Sequence, residues 1–184
     1  MQPLSLALEW LTGGRRREVY VFDVDGVLID AEDRLREALR RVGAGAASSP
    51  RDLGPRLRSR FWRVFLSEEL LAYDRPREVG IRLLLDRLQR GRVIVLTGRP
   101  SRLRRATLAE LERAGVPIEK VELVMRPPRD VRRDYVFKAD VLRQLAGVAE
   151  VHDDEVEVLR AAGRIHPRAR LYLHRGDGYA LLNP

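Results

Sequence analysis

Short apolar runs alternate with segments whose apolar residues recur at helical spacing. EVYVFDV (18–24), RVIVLT (92–97), VELVM (121–125), AEVH (149–152) and ARLYLH (169–174) predict strands. Between them, 77–90, 100–115, 138–146 and 154–163 predict helices, with Gly91, Gly115 and Gly163 as stop signals. Strands that alternate with helices predict an α/β fold, a doubly wound parallel sheet covered on both faces. Such sheets bind ligands beyond the carboxyl ends of their strands.

The segment 31–75 breaks this rhythm. It holds a helical stretch (EDRLREALRRV), a small-residue connector (GAGAASSP) and a second helical stretch with Phe61, Trp62 and Phe65 on what should be a local core face. We read it as a small helical cap inserted into a core made of 18–30 and 76–184. Residues 1–17 predict a short amphipathic helix ending at Gly13-Gly14. They make a poor signal peptide, because Glu9 interrupts the apolar part and the basic residues follow it. No apolar run reaches the roughly 20 residues of a bilayer span. A cytoplasmic protein without a membrane partner is the expectation.

Composition narrows the chemistry. The chain of 184 residues has no cysteine and three histidines, which excludes disulfides and a cysteine nucleophile and disfavours zinc. A metal would be held by oxygen, as Mg²⁺ is. The net charge is +8, and Lys120 and Lys138 are the only lysines among 35 basic residues. Dense ion pairing and an anionic partner such as nucleic acid both fit that excess of arginine.

Polar residues collect where the predicted strands end. The first strand delivers Asp23 and Asp25, the second Thr97 and Gly98, and the fourth Asp153 and Asp154. Lys138 is expected to open the helix before the fourth strand. Taken singly these are ordinary: a D-x-D, a Thr-Gly turn, a solvated lysine, a helix cap. Together, at one sheet edge, they make a charge pattern. Crowded carboxylates repel unless a cation joins them, Mg²⁺ favours carboxylates with phosphate oxygens, and a lysine with turn N–H groups suits phosphate. A carboxylate can also attack phosphorus.

The segments DVDGVL, VIVLTGR, VFKADVL and EVHDDEVEVL resemble, in order, the four motifs of the haloacid dehalogenase superfamily, over about residues 18–175. The resemblance implies a Rossmann-like core, Mg²⁺ and phosphomonoester hydrolysis through an aspartyl-phosphate. Asp23 would be nucleophile and metal ligand. Asp25 would act as acid and then base, with its carbonyl on the metal. Gly26, Thr97, Gly98 and Lys138 would line the phosphoryl site, and Asp153 with Asp154 would complete the metal site. Within the superfamily the chain is similar to the 3′-phosphatase domains of polynucleotide kinase-phosphatases: Arg34 lies eleven residues after Asp23, Arg99 follows in TGR, and Asp134 precedes Lys138 by four residues. That likeness implies a nucleic-acid 3′-phosphate as substrate, with Arg34 and Arg99 in the phosphate region and Asp134 orienting Lys138. No G-x-x-x-x-G-K-[ST] motif of a kinase half occurs. A small phosphorylated metabolite is the alternative substrate, and a phosphoacceptor receiver-like domain the alternative class.

Overall fold

The computed structural model describes residues 18–182, so the helix expected over 1–17 lies outside the described part. Strand β1 (Val19–Phe22) is central in a six-stranded sheet of order β5-β4-β1-β6-β7-β8. Its companions are β4 (Arg92–Pro100), β5 (Val121–Arg126), β6 (Val148–Asp153), β7 (Arg170–Arg175) and β8 (Gly178–Leu181). The pairings from β5 through β7 are parallel, and β8 closes the edge antiparallel to β7. The chain moves outward from β1 to β4 and β5, then returns to β6 on the other side of β1. That reversal opens a crevice at the carboxyl edge.

Strand alternation decides the layers. Tyr20, Phe22, Val93 and Val95 pack on one face with Ile81 and Leu84 of α3 (Glu78–Leu88) and Leu111 of α4 (Arg104–Arg113). Val19, Val21, Ile94 and Leu96 face the other way, onto Phe137 and Leu142 of α5 (Asp134–Arg143) and Leu159 of α6 (Val156–Ile165). Wholly buried side chains such as Phe22 and Leu84 each contribute about 1.5–3 kcal/mol through removal from water.

Between β1 and α3 lies the inserted segment with α1 (Glu32–Arg41) and α2 (Pro55–Phe65). The chain leaves through β2 (Ile29–Asp30) and returns through β3 (Arg75–Pro76), which pair antiparallel. The segment has its own apolar cluster, including Ala38, Leu39, Phe61, Phe65 and Leu70. Helix α1 starts with Glu32 and Asp33 and ends with Arg40 and Arg41, an order that suits the helix dipole.

Four local expectations need correction. Thr97 and Gly98 are not a turn before a helix: β4 runs through them to Pro100, with an irregular register against β5 between Thr97 and Pro100. Lys138 sits in the second turn of α5 instead of opening it. Gly163 lies inside α6, where a Cβ would meet Leu171 Cδ1 at 3.0 Å, so its smallness serves packing on β7. Trp62 is not core: it is 44% exposed, while its neighbours Phe61 and Phe65 are buried.

A polar ladder crosses the α3 face. Glu150, His152 and His174 are fully buried. The His152 ring is stacked between Phe22 and Tyr172, with centroids at 4.1 and 4.7 Å. Its Nδ1 lies 3.1 Å from His174 Nε2, and His174 Nδ1 has no partner among the described residues. Burial, then the nearby His152 and Arg77, push the His174 imidazole down to about 3. As pH falls below about 6.5 the unfolded chain takes up this proton before the folded one does. Stability should therefore decline between about 6.5 and 3. His174→Phe should flatten that decline, which thermal melts on the acid side of neutrality would show.

Candidate active site

The carboxyl ends of β1, β4 and β6 meet above the central strand. Asp23 directly follows β1, and its N–H continues the ladder by donating to the His152 carbonyl at 3.0 Å. The loop then folds back, with the N–H groups of Val27, Leu28 and Ile29 all donating to the Val24 carbonyl. Gly26 has φ of +76°, and a Cβ there would run into the Asp154 carboxylate. Both effects penalise any larger residue. Gly26→Ala should cost about 1–3 kcal/mol, read as a lowered urea midpoint with unchanged slope.

Lys138 reaches into this edge from α5 and is almost fully buried. Its ammonium lies 2.7 Å from Asp23 Oδ2, 2.8 Å from Asp153 Oδ2 and 2.8 Å from Asp134 Oδ2. Gly98 lets Asp134 approach, since a Cβ on Gly98 would collide with that carboxylate. Asp134 is held from the other side by Arg126 Nη2 at 2.7 Å. Thr97 is buried beside them, its Oγ1 accepting from the Arg99 N–H at 3.2 Å.

The acids outnumber the cation. Burial raises the Asp23 carboxyl well above the usual carboxylate range; Lys138 opposes this, and Asp153 adds to it. Burial and then Asp153 push Asp154 up to about 7. Burial would lower Lys138, but Asp153, Asp23 and Asp134 hold it charged far into the alkaline range. One ammonium cannot neutralise this many carboxylates, so the cluster is short of positive charge. Asp23, Asp153 and Asp154 each offer a carboxylate oxygen, and these oxygens lie within 4.8 Å of one another. An oxygen-liganded divalent cation fits that donor set.

Asp25 belongs to a second cluster. Burial would raise its carboxyl, but Arg99 and Arg34 outweigh this and hold it well below the usual range. Arg34 Nη2 donates to Asp25 Oδ1, and Arg99 Nη2 donates to the same oxygen at 2.6 Å. Both guanidiniums are essentially unexposed. Arg99 also donates to Asp74 at 2.9 Å, to Thr107 at 3.3 Å and to Glu110. Arg34 Nε lies 2.9 Å from Asp74 Oδ1, its plane covers Phe65 at 4.2 Å, and its Nη1 has no acceptor among the described residues. Burial chiefly, against the pull of Arg34, pushes Asp74 up to about 8.

The structure thus gathers Asp23, Asp134, Lys138, Asp153 and Asp154 in one cluster and Asp25, Arg34 and Arg99 in a contiguous one. Sequence reasoning missed Asp74, Glu110, Arg77 and Arg175. Arg77 donates to the carbonyls of Gly26 and Gly176, and Arg175 to that of Asp154, which ties the acid loops together. Glu110 did leave a signal: it shares the buried helical stripe of Thr107 and Leu111.

No family model matches the sequence, and no curated protein matches it. Solved structures do match. A haloacid dehalogenase-like family hydrolase from Streptococcus pneumoniae superposes with a TM-score of 0.60 over 84% of this chain and 82% of that one, at 12% identity. The chain has the haloacid dehalogenase fold. A HAD-superfamily hydrolase from Geobacter sulfurreducens agrees, with a TM-score of 0.52 at 16% identity over 86% of this chain and 87% of that one. Chains in two structures of the Pnkp1/Rnl/Hen1 complex, one named an RNA repair complex, match at 19% identity over 87% of this chain, with TM-scores of 0.56 and 0.61. This haloacid dehalogenase-fold chain covers only 43% and 46% of those two. At such identities the likeness speaks for the fold. Among the described residues no helix is long and apolar enough to cross a membrane.

Proposed function

We propose that this protein is a Mg²⁺-dependent phosphomonoester hydrolase that forms an aspartyl-phosphate on Asp23. The observation that carries the reading is the convergence of Asp23, Asp153 and Asp154 beside the buried Lys138 at the switch point of the sheet. Asp23, Asp153, Asp154 and the main-chain carbonyl of Asp25 would hold Mg²⁺, which when bound offsets charge on the phosphoryl oxygens. Asp154 suits a direct ligand, because its carboxylate accepts no hydrogen bond among the described residues. Both Asp153 oxygens are engaged, one by Lys138 and one by the Glu155 N–H at 2.8 Å.

In the first step an Asp23 oxygen attacks phosphorus. The bond to the leaving oxygen breaks, and that oxygen takes a proton from Asp25. Arg99 and Arg34 hold Asp25 ionised in the free protein, so it must gain that proton as the substrate binds. In the second step Asp25 takes a proton from water, whose oxygen attacks phosphorus and displaces Asp23 with release of inorganic phosphate. Thr97 and Lys138 would hold the phosphoryl oxygens, and Asp134 keeps Lys138 in place. Arg99 spends its donors on Asp25, Asp74, Thr107 and Glu110, so it acts by holding Asp25. Arg34 also holds Asp25, and its Nη1, buried without an acceptor among the described residues, would meet a substrate oxygen only where binding uncovers it.

We assign the substrate to nucleic-acid ends bearing a 3′-phosphate. Arg34, Arg99 and Asp134 beside the acids, the net charge of +8 and the likeness to a chain of an RNA repair complex support this choice. The test is phosphate release from matched 3′- and 5′-phosphorylated oligonucleotides and a panel of phosphorylated metabolites, with and without Mg²⁺. Preference for the 3′-phosphorylated oligonucleotide is expected. Faster turnover of any metabolite would overturn the substrate, and turnover without Mg²⁺ would overturn the metal.

A further inference from the structure

The two helices of the inserted segment treat their arginines in opposite ways. On α1 the arginines are neutralised close to home. Arg36 pairs with Asp33, Arg40 and Arg41 pair with Glu37, and Arg41 also reaches Glu69. On α2 no such partner exists, because no acid occurs between Asp52 and Glu68. Arg56, Arg60 and Arg63 are all exposed and make no ion pair with any described residue. At 3.6 residues per turn these three fall within an arc of about 60°. They span about 10 Å along the helix, the axial rise of about three phosphates on one strand.

Two observations say what covers this face. Trp62, 44% exposed, lies about 100° round the helix from Arg63, on the same outward half of α2. Phe61 and Phe65 brace its ring edge-on, with centroids at 5.1 and 5.5 Å. A braced, exposed indole and unpaired guanidiniums on one outward half of a helix offer a single strand both a stacking platform and phosphate contacts. The opposite face of α2 ties the helix to the proposed site: Phe65, at its carboxyl end, is buried and lies under the Arg34 guanidinium, which bonds Asp25.

We propose that the outer face of α2 is a track for single-stranded nucleic acid, with Arg56, Arg60 and Arg63 on phosphates and Trp62 stacked on a base. This rests on the nucleic-acid reading of the substrate given above and says which surface holds the strand. A duplex would offer the arginines the same phosphates but leave Trp62 nothing to stack on.

The experiment measures binding of a labelled single-stranded oligonucleotide without terminal phosphates, by anisotropy, from about 50 to 200 mM salt. The triple variant Arg56→Ser/Arg60→Ser/Arg63→Ser should weaken binding at least about tenfold. It should also reduce the slope of log K against log salt by about 2, since each phosphate contact on a single strand contributes about 0.7. Trp62→Ala should weaken binding roughly tenfold and leave the slope unchanged. Arg160→Ser/Arg164→Ser/Arg168→Ser removes three equally exposed arginines where α6 and the turn after it run away from the carboxyl edge, and should change the slope by less than about 1.

Equal slopes for the α2 and α6 variants would overturn the track, because the attraction would then be general to the surface. So would wild-type binding to phosphatidylserine vesicles but not to the oligonucleotide, which would make the face a membrane contact. Aryl phosphate turnover, followed in the same samples, should match wild type in all variants. If wild type binds the strand through the stripe but releases no phosphate, the hydrolase reading fails and the track stands. If phosphate is released and binding ignores the stripe, the track alone fails.

Discussion

Asp23→Asn is expected to lower phosphate release from a generic aryl phosphate by at least about a thousandfold while leaving the protein folded. The amide keeps the shape of the side chain but has no ionised oxygen to attack phosphorus. Nothing in the fold should suffer, because Lys138 keeps Asp153 and Asp134 as partners at 2.8 Å. The change also removes one carboxylate from a cluster that burial and mutual repulsion already strain. The melting temperature should therefore hold or rise. Initial rates with saturating Mg²⁺, beside a thermal melt, check both halves. A folded variant within tenfold of wild type would remove Asp23 as nucleophile.

The largest effect on stability is expected at Glu150, far from any proposed chemistry. Its carboxylate is fully buried and accepts from Arg87 Nε at 2.6 Å, from Arg170 and from His152 Nε2 at 3.2 Å. Glu150→Ala strands the Arg87 guanidinium, whose side chain is only 12% exposed, and leaves a void beside His152. Breaking a buried pair from one side costs about 3–5 kcal/mol. For a chain of this size that is a fall in melting temperature of roughly 10 °C. Glu150→Gln keeps the volume and one acceptor and should cost about 1–3 kcal/mol.

The pH dependence has a definite sign. Burial works against ionisation of Glu150, yet His152 and Arg87 hold its carboxyl down at about 2. Its stabilisation is then complete above the ordinary glutamate value of about 4.3 and lost as pH falls towards 2. Urea titrations near neutrality and in this acid window should show the Ala variant losing less than wild type on acidification. A cost below about 1 kcal/mol at neutral pH would mean that Arg87 and Arg170 find water just as well.

Much of the architecture was legible because the two periodicities rarely conflict. VYVF and VIVL alternate between two apolar faces, and the segments between them carry apolar residues at helical spacing. The acids were legible for a different reason. A carboxylate at the end of a buried strand has no solvent face to explain it, so Asp23 and Asp153 stood out, and Lys138 did so as one of only two lysines.

Where the reading failed, a contact distant in sequence had decided the matter. Thr-Gly resembled a turn, but β5 pairs with that stretch and prolongs the strand. Gly163 resembled a stop, but Leu171 needs the space. Trp62 resembled core, yet Phe61 and Phe65 fill the face that α1 covers and leave the indole outside. Glu150 and His152 were legible only as residues of a strand over 149–152. In the sheet β6 lies between β1 and β7 under α3, so both are buried and must satisfy one another.

By itself, then, the sequence determined which residue types arrive at the ends of which strands, because strand and helix periods are local properties of the chain. Only the tertiary structure decided which charges face which. It set Lys138 among Asp23, Asp134 and Asp153, and closed Arg34 and Arg99 on Asp25 with Asp74 and Glu110 behind them. The reason is physical. Ion pairing depends on distances of a few ångströms between elements far apart in sequence, and the order of strands in the sheet decides those distances.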